Sequence, residues 1–415
     1  MKTQVAVIGG GAAGLLCAGV AAGRGLHVMV IEKNDRPARK VLITGKGRCN
    51  LTNQTDLHGL IQAVPTNGRF LYSAFCGFGP QDMMELMQRL GVPVKVERGN
   101  RVFPVSDRAM DVADALVKFA KQNGAQIITD TAQGLEITGG QISGVQLKNN
   151  GRLDCGAVVV ATGGLSYPKT GSTGDGYGFA RQAGHTVIPP SPSLVPLTVH
   201  EGDAAAMQGL SLRNVGLTVV DTVSGKTVYT DFGELLFTHF GLSGPVILSA
   251  SAHLRPMQPE RYRIQIDLKT ALNEQTLDAR LLRDFGENAN RDFANALGGL
   301  LPRKMIPVIV ARSGIAPHQK VHQITRTQRE QLLHLIKGLT FTVTGFRPVE
   351  EAIVTAGGVD VRQVNPKTMA SKLCNNLYFA GEVLDVDAYT GGFNLQIAFS
   401  TGYAAGSSVL REAKA

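Results

Sequence analysis

Residues 4 to 32 restrict the fold more than any other stretch. Gln4-Val-Ala-Val-Ile8 is an apolar, β-branched run of the kind buried on both faces of a sheet, and it leads straight into Gly9-x-Gly11-x-x-Gly14. A small-residue segment, Ala12 to Gly23, follows with helical character, and a second apolar run, His27 to Ile31, stops at Glu32. The three glycines have separate tasks. Gly9 permits the tight turn, Gly11 lets backbone approach a pyrophosphate, and Gly14 lets helix pack on strand. The helix N-terminus then offers free N–H groups and the positive end of its dipole to the phosphates. Glu32, 18 residues beyond Gly14, stands where a carboxylate meets ribose hydroxyls. Strand, turn, helix, strand and terminal acid together read as a dinucleotide site, with Gly9, Gly11, Ala12, Ala13, Gly14, Glu32 and Lys33 as its contacts.

At 415 residues, two or three domains are expected. An apolar fraction of 43% against 18% charged excludes a disordered chain, and no apolar run reaches membrane-spanning length. The N-terminus opens directly on the first strand, so no signal peptide and a cytoplasmic location are expected. The five cysteines, Cys17, Cys49, Cys76, Cys155 and Cys374, form no CxxC pair, which argues against zinc and against a dithiol centre. A formal charge of +9 permits a polyanionic partner such as nucleic acid.

After Glu32 comes a basic, glycine-containing stretch, Arg39-Lys-Val-Leu-Ile-Thr-Gly45-Lys-Gly47-Arg-Cys-Asn50-Leu-Thr-Asn53. Arg39, Lys40 and Arg48 could bring charge to phosphates, and Asn50 and Asn53 hydrogen bonds; a solvated basic turn is the plain alternative. Residues 39 to 53 resemble the signature loop of the BaiN/YhiN-type flavoproteins, G-R-K-x-L-x-[ST]-G-x-G-R-C-N-x-T-N. The departures are Ala38 in place of the usual glycine and Lys46 where many relatives carry a third glycine. The resemblance implies FAD, with its isoalloxazine near Arg48, Cys49 and Asn50 and with Gly47 among the cofactor-binding residues.

Further along, Gln81 to Leu90 and Asp111 to Gly124 have helical apolar spacing, Gln126 to Thr129 reads as a strand, and roughly 133 to 155 as a two-stranded meander. The polar turn Gly99-Asn-Arg101-Val-Phe-Pro104-Val-Ser-Asp107-Arg108 carries arginines that face either the active site or solvent. Ala157 to Val160 is a further buried strand ending in Ala161-Thr162-Gly163, beside the cofactor in flavoproteins. The glycines of residues 166 to 176 follow no strand, so this loop is not a second fingerprint, and NAD(P)H is expected only as a transient electron donor. Pro189, Pro190 and Pro192 mark a boundary. Residues 194 to 270 carry hairpin signals and 271 to 345 helical ones, including Gln275 to Phe285, Arg291 to Leu297, Pro302 to Ala311 and Thr327 to Ile336. The flavin pattern returns with Leu377-Tyr-Phe-Ala-Gly381-Glu382 and Gly391-Gly392-Phe-Asn394-Leu395-Gln396, an acid for the ribityl chain and a helix dipole for the flavin ring.

The expected fold is α/β: a two-βαβ, Rossmann-like FAD-binding domain (1–193 and 346–415) with an inserted substrate domain, β-rich over 194–270 and helical over 271–345. The resemblance, which spans the chain, implies an FAD-dependent oxidoreductase. Relatives are linked to uridine reduction in large-subunit ribosomal RNA, to reduction of steroid-type enones and to small-amine oxidation. The first substrate is favoured by the segment 255 to 340, which holds 14 Lys and Arg against 8 Asp and Glu. A small-molecule flavin reductase or oxidase, or a flavin-binding module without turnover, are the alternatives. Cys49 is the candidate proton donor and His239 a second candidate catalytic residue. His318 and His322 have no third ligand nearby, so no metal site is expected.

Overall fold

The computed structural model of the chain describes residues 1–410 and divides into two units, Met1–Ser193 with the segment from Val349 onward, and Leu194–Pro348. In the first, β1 (Lys2–Ile8) buries Val5 to Ile8 on both faces and lies parallel to β2 (Val28–Glu32). Helix α1 (Ala12–Gly23) joins them. A three-stranded antiparallel sheet follows, β3 (Thr52–Asn53) pairing β5 (Arg101–Pro104), which pairs β4 (Val94–Glu97). Helices Pro80–Arg89 and Ala109–Gln122 cover the expected segments, and Met83 and Met87 are core residues. β6 (Gln126–Thr129) adds to the edge of β2 in parallel.

The expected two-stranded meander is three-stranded. β7 (Ala132–Thr138), β8 (Gln141–Leu147) and β9 (Gly151–Val160) are antiparallel neighbours, and β9 runs on without a break through Ala157–Val160. Residues Asp154 to Val160 of β9 lie against β1, while its other edge meets β8 first and a later strand afterwards. Pro189, Pro190 and Pro192 sit inside a strand, β10 (Val187–Ser193). A pair of strands with a register shift between Ile188 and Ser191 accommodates them, because prolines need not donate there.

Residues 194 to 348 form their own core around a closed six-stranded barrel in the order β11 (Leu197–Val199), β14 (Gly241–Ser243), β13 (Thr227–Thr238), β12 (Ser211–Asp221), β15 (Tyr262–Asp267), β16 (Leu339–Phe346). Closure removes the free edges that short antiparallel strands otherwise expose. Between β15 and β16 lie helices Glu274–Glu287, Phe293–Ala296, Ile306–Ser313 and Arg326–Lys337. Two start on side-chain caps: Asn273 accepts from Thr276 N, and Thr325 and Gln328 form a capping box. The segment 271–345 is thus not wholly helical, since β16 lies within it and completes the barrel.

The chain then returns to the first unit. β17 (Val354–Val359) pairs β10, and β18 (Leu377–Phe379) extends the parallel sheet beside the second half of β9. Helix Phe393–Ser408 packs on α1 so closely that a Cβ on Gly402 or Gly406 would overlap the carbonyl oxygens of Ala13 and Cys17.

Candidate functional site

A cleft in the first unit runs past the C-terminal ends of β1, β2, β6 and β9, where ligands of open parallel sheets bind. Gly9, Gly11, Ala12 and Ala13 form its floor. A Cβ on Gly9 would meet Ala161 O, and one on Gly14 would overlap Gly9 O, so these two glycines set the turn and the helix–strand contact. At Gly11 a Cβ would find no protein atom within 4 Å: the space in front of it belongs to the cleft. α1 starts without a side-chain cap and without an acid in its first turn. Its unsatisfied N–H groups and dipole are left for an anion.

Glu32, 7% exposed, is fixed at the end of β2 by three donors: Gly10 N to Oε2 at 2.8 Å, and Asn34 N and Nδ2 to Oε1 at 2.9 and 2.6 Å. Opposite it stands the loop set aside in the sequence as a fingerprint. Its Thr170, Gly171, Ser172 and Asp175 line the cleft, tied down by Asn34 Nδ2 to Thr170 O at 3.1 Å and Lys33 Nζ to Asp175 at 2.5 Å. Asp130, Thr131 and Ala132 complete this wall, directly after β6. They were missed because their only signal is position after a strand that neighbours β2.

Towards the other end, Lys40 Nζ donates to Ser166 Oγ and Glu382 Oε2, both at 2.6 Å, and Thr355 N donates to Glu382 Oε1 at 2.8 Å. Asn394 and Leu395 open the last helix, which likewise has no side-chain cap and no acid in its first turn. The Asn394 amide grips Ala388 through both N–H···O directions. Ala161, Thr162, Gly163, Gly381, Arg39 and Val354 also line the space. The buried Thr162 hydroxyl has no hydrogen-bond partner among the described residues. A cleft lined by two uncapped helix N-termini, an acid at the end of β2 and an orphan hydroxyl fits FAD.

Other residues marked in the sequence stand behind this lining. Gly392 packs against the Thr52 carbonyl, and Gln396 is buried, accepting from Thr52 Oγ1 at 2.6 Å and donating to Phe78 O at 3.0 Å. Gly47 lies in an exposed left-handed turn, and the Asn50 amide sits between Thr52 O and Gly392 N. The Arg48 guanidinium turns to Glu97 and Asp107, at 2.5 and 2.6 Å, and covers the Phe103 ring at 4.2 Å. Cys49 is fully buried, with φ of 61°, and burial pushes its thiol up to about 12. His239 belongs to the other unit, exposed between β13 and β14 with Phe240 edge-on at 4.9 Å. Among the described residues no cluster of His, Cys, Asp and Glu is arranged for a metal, and no helix is long and apolar enough to cross a membrane. His318 contacts Asp292, and His322 the Ala289 carbonyl.

The fold and this cleft define an FAD-dependent oxidoreductase. Residues 3–408 match the HI0933-like protein Rossmann domain, and the chain belongs to that family. It is 33% identical over 413 residues to the ribosomal RNA dihydrouridine synthase of Haemophilus influenzae, covering 98% of each chain. It is 31% identical to the Escherichia coli protein of the same name, covering 97% of each. The 3-dehydro-bile acid delta(4,6)-reductase of Clostridium scindens is 29% identical, over 97% of this chain and 98% of that one. Among solved structures, the 3-ketosteroid-delta4-(5alpha)-dehydrogenase of Rhodococcus jostii shares the fold, with a TM-score of 0.52 at 14% identity, over 98% of this chain and 97% of the other.

Proposed function

We propose that this oxidoreductase reduces a carbon–carbon double bond, and that the bond is C5=C6 of a uridine in large-subunit ribosomal RNA, giving dihydrouridine. The observation that carries the proposal is near-full-length similarity, above 30% identity, to two proteins named for that reaction. The bile-acid relative is also named as a reductase, and that name supports a small-molecule enone as the second reading.

Bound FAD supplies hydride chemistry. The protein's part is to hold it: Gly9, Gly11, Ala12 and Ala13 take the pyrophosphate, Glu32 and Lys33 the ribose end, and Ala161 to Gly163 the middle. Lys40, Glu382, Asn394 and Leu395 take the ribityl and ring end, while Gly14, Gly392 and Gln396 hold these elements in place. Cys49 as proton donor would have to release a firmly held proton from a buried position away from the cleft lining, so no proton-transfer role is assigned to the thiol. NAD(P)H is proposed as a transient electron donor, because the chain carries a single dinucleotide fingerprint.

Mass spectrometry of nucleosides from the ribosomal RNA of a deletion strain tests the substrate. Dihydrouridine should fall at a large-subunit position and return with the complementing gene. An unchanged dihydrouridine level would favour the small-molecule reading.

A further inference from the structure

Residues 255–340 of the second unit hold 14 Lys and Arg against 8 Asp and Glu, but most of these cations are already matched. Eight of the 14 Lys and Arg in residues 255–340 sit on carboxylates: Arg261, Arg280, Arg283, Arg312, Lys320, Arg326, Arg329 and Lys337. Two of those acids, Asp221 and Asp203, come from outside the segment. A cation held this way has less to offer a phosphate.

The flavin unit has the opposite arrangement beside its cleft. Lys46 projects from the exposed loop Thr44–Gly47 with φ of 58°, and Arg98 and Arg101 flank the exposed turn Gly99-Asn100 between β4 and β5. None of the three meets a carboxylate among the described residues. Arg101 and the loop that carries Lys46 meet at one ring. The Phe103 ring lies 5.8 Å from the Arg101 guanidinium, and the position a Cβ on Gly45 would occupy is 3.3 Å from the same ring. Arg101 Nε donates to Arg98 O at 2.9 Å. The two nearby acids are occupied, Glu97 by Arg48 and Asp107 by Arg48 and Lys95, so they do not neutralise this edge.

The edge is fastened to the cleft. Asn53 Nδ2 donates at 3.0 Å to both Gly99 O and Gly391 O, which joins the arginine turn to the glycines ahead of Asn394 and Leu395. Three unmatched cations on an exposed rim, next to the end of the cleft away from Glu32, suit a polyanion whose reacting base enters the cleft. A neutral or singly charged small molecule has no use for them.

We infer that Lys46, Arg98 and Arg101 form a phosphate-gripping rim for RNA, which positions a looped uridine at the cleft. The inference rests on the ribosomal RNA reading above. The test measures binding of a labelled, uridine-containing RNA hairpin to the FAD-loaded full-length protein across a salt series. Wild type is compared with Lys46→Gln/Arg98→Gln/Arg101→Gln and with Arg280→Gln/Arg283→Gln/Arg303→Gln/Lys304→Gln. FAD content and thermal midpoint confirm that each variant is folded.

The rim variant should bind about tenfold or more weakly at low salt, and the slope of log affinity against log salt should shrink by about 2, the share of three phosphate contacts on a single strand. The helical variant should lose less than the rim variant. A rim variant within about threefold of wild type, a larger loss in the helical variant, or no salt-dependent RNA binding by wild type would each overturn the inference. If wild type binds through the rim but ribosomal dihydrouridine is unchanged in the deletion strain, the surface stands and the proposed reaction fails.

Discussion

Lys40 Nζ lies 2.6 Å from Glu382 Oε2, an ion pair between residues 342 positions apart that joins the two sequence halves of the flavin unit. Both side chains are about three-quarters buried, at 24% and 20% exposed, so removing one partner leaves a poorly solvated charge. Lys40→Met is expected to weaken FAD binding about tenfold and to lower the melting temperature by a few degrees. Glu382→Gln, which keeps an acceptor for Thr355 N, should be milder. FAD release followed by fluorescence checks both, and wild-type affinity in Lys40→Met would separate the pair from the cofactor.

Gly11 and Gly14 should fail in different ways. Gly11→Val puts a side chain into the cleft and touches no protein atom at its Cβ, so the apoprotein should fold and melt near wild type while FAD occupancy collapses. Gly14→Val drives a side chain into the Gly9 carbonyl and should cost several kcal/mol of stability. Flavin released by heat from wild type should be FAD and not FMN. Full FAD occupancy in Gly11→Val would overturn the reading of the turn.

Stability should decline at alkaline pH. Burial pushes the thiols of Cys17, Cys49 and Cys155 from an ordinary value of 9.0 up to about 12. As pH rises past about 9, the unfolded chain loses these protons while the folded one keeps them. The unfolded state then binds fewer protons, and unfolding free energy falls with pH until the folded thiols titrate. Urea midpoints at about pH 8 and about pH 10 should show the drop, and Cys→Ala at all three positions should reduce its slope. Equal slopes in the two proteins would assign the effect to other groups.

Cys49→Ala should retain turnover within a few-fold. The thiol is buried, and it is not among the groups that line the cleft. Loss of a positioned general acid typically removes about a hundredfold or more. A fall of that size, with FAD content unchanged, would place the Cys49 proton in the reaction after all.

The first βαβ unit was legible because each of its parts has a local signature: a doubly buried run, three spaced glycines, a terminal acid. The return of the cofactor pattern at Ala380-Gly381-Glu382 was legible for the same reason. β9 was not, because Gly151–Cys155 alternates along a meander while Ala157–Val160 is uniformly apolar, and one strand in two environments looks like two strands. The prolines of β10 and the position of β16 depend on partners distant in sequence, which no local pattern encodes. In the cleft, the wall from Thr170 to Asp175 carries no strand-linked motif. Arg48 was read by its charge, but its direction is set by Glu97 and Asp107, some 50 and 60 residues away.

The close packing of α1 on helix Phe393–Ser408 also bears on how the protein is made. On the ribosome, α1 is synthesised some 370 residues before helix Phe393–Ser408, and its small-residue face stays uncovered until Gly402 and Gly406 emerge. Asn394 and Leu395 arrive at the same late moment, so a nascent chain has only half a cleft to offer a cofactor. FAD therefore cannot guide folding steps that precede this second half and can only secure a chain in which both halves of the cleft are present. Until then the glycine turn is a binding motif with nothing to close it.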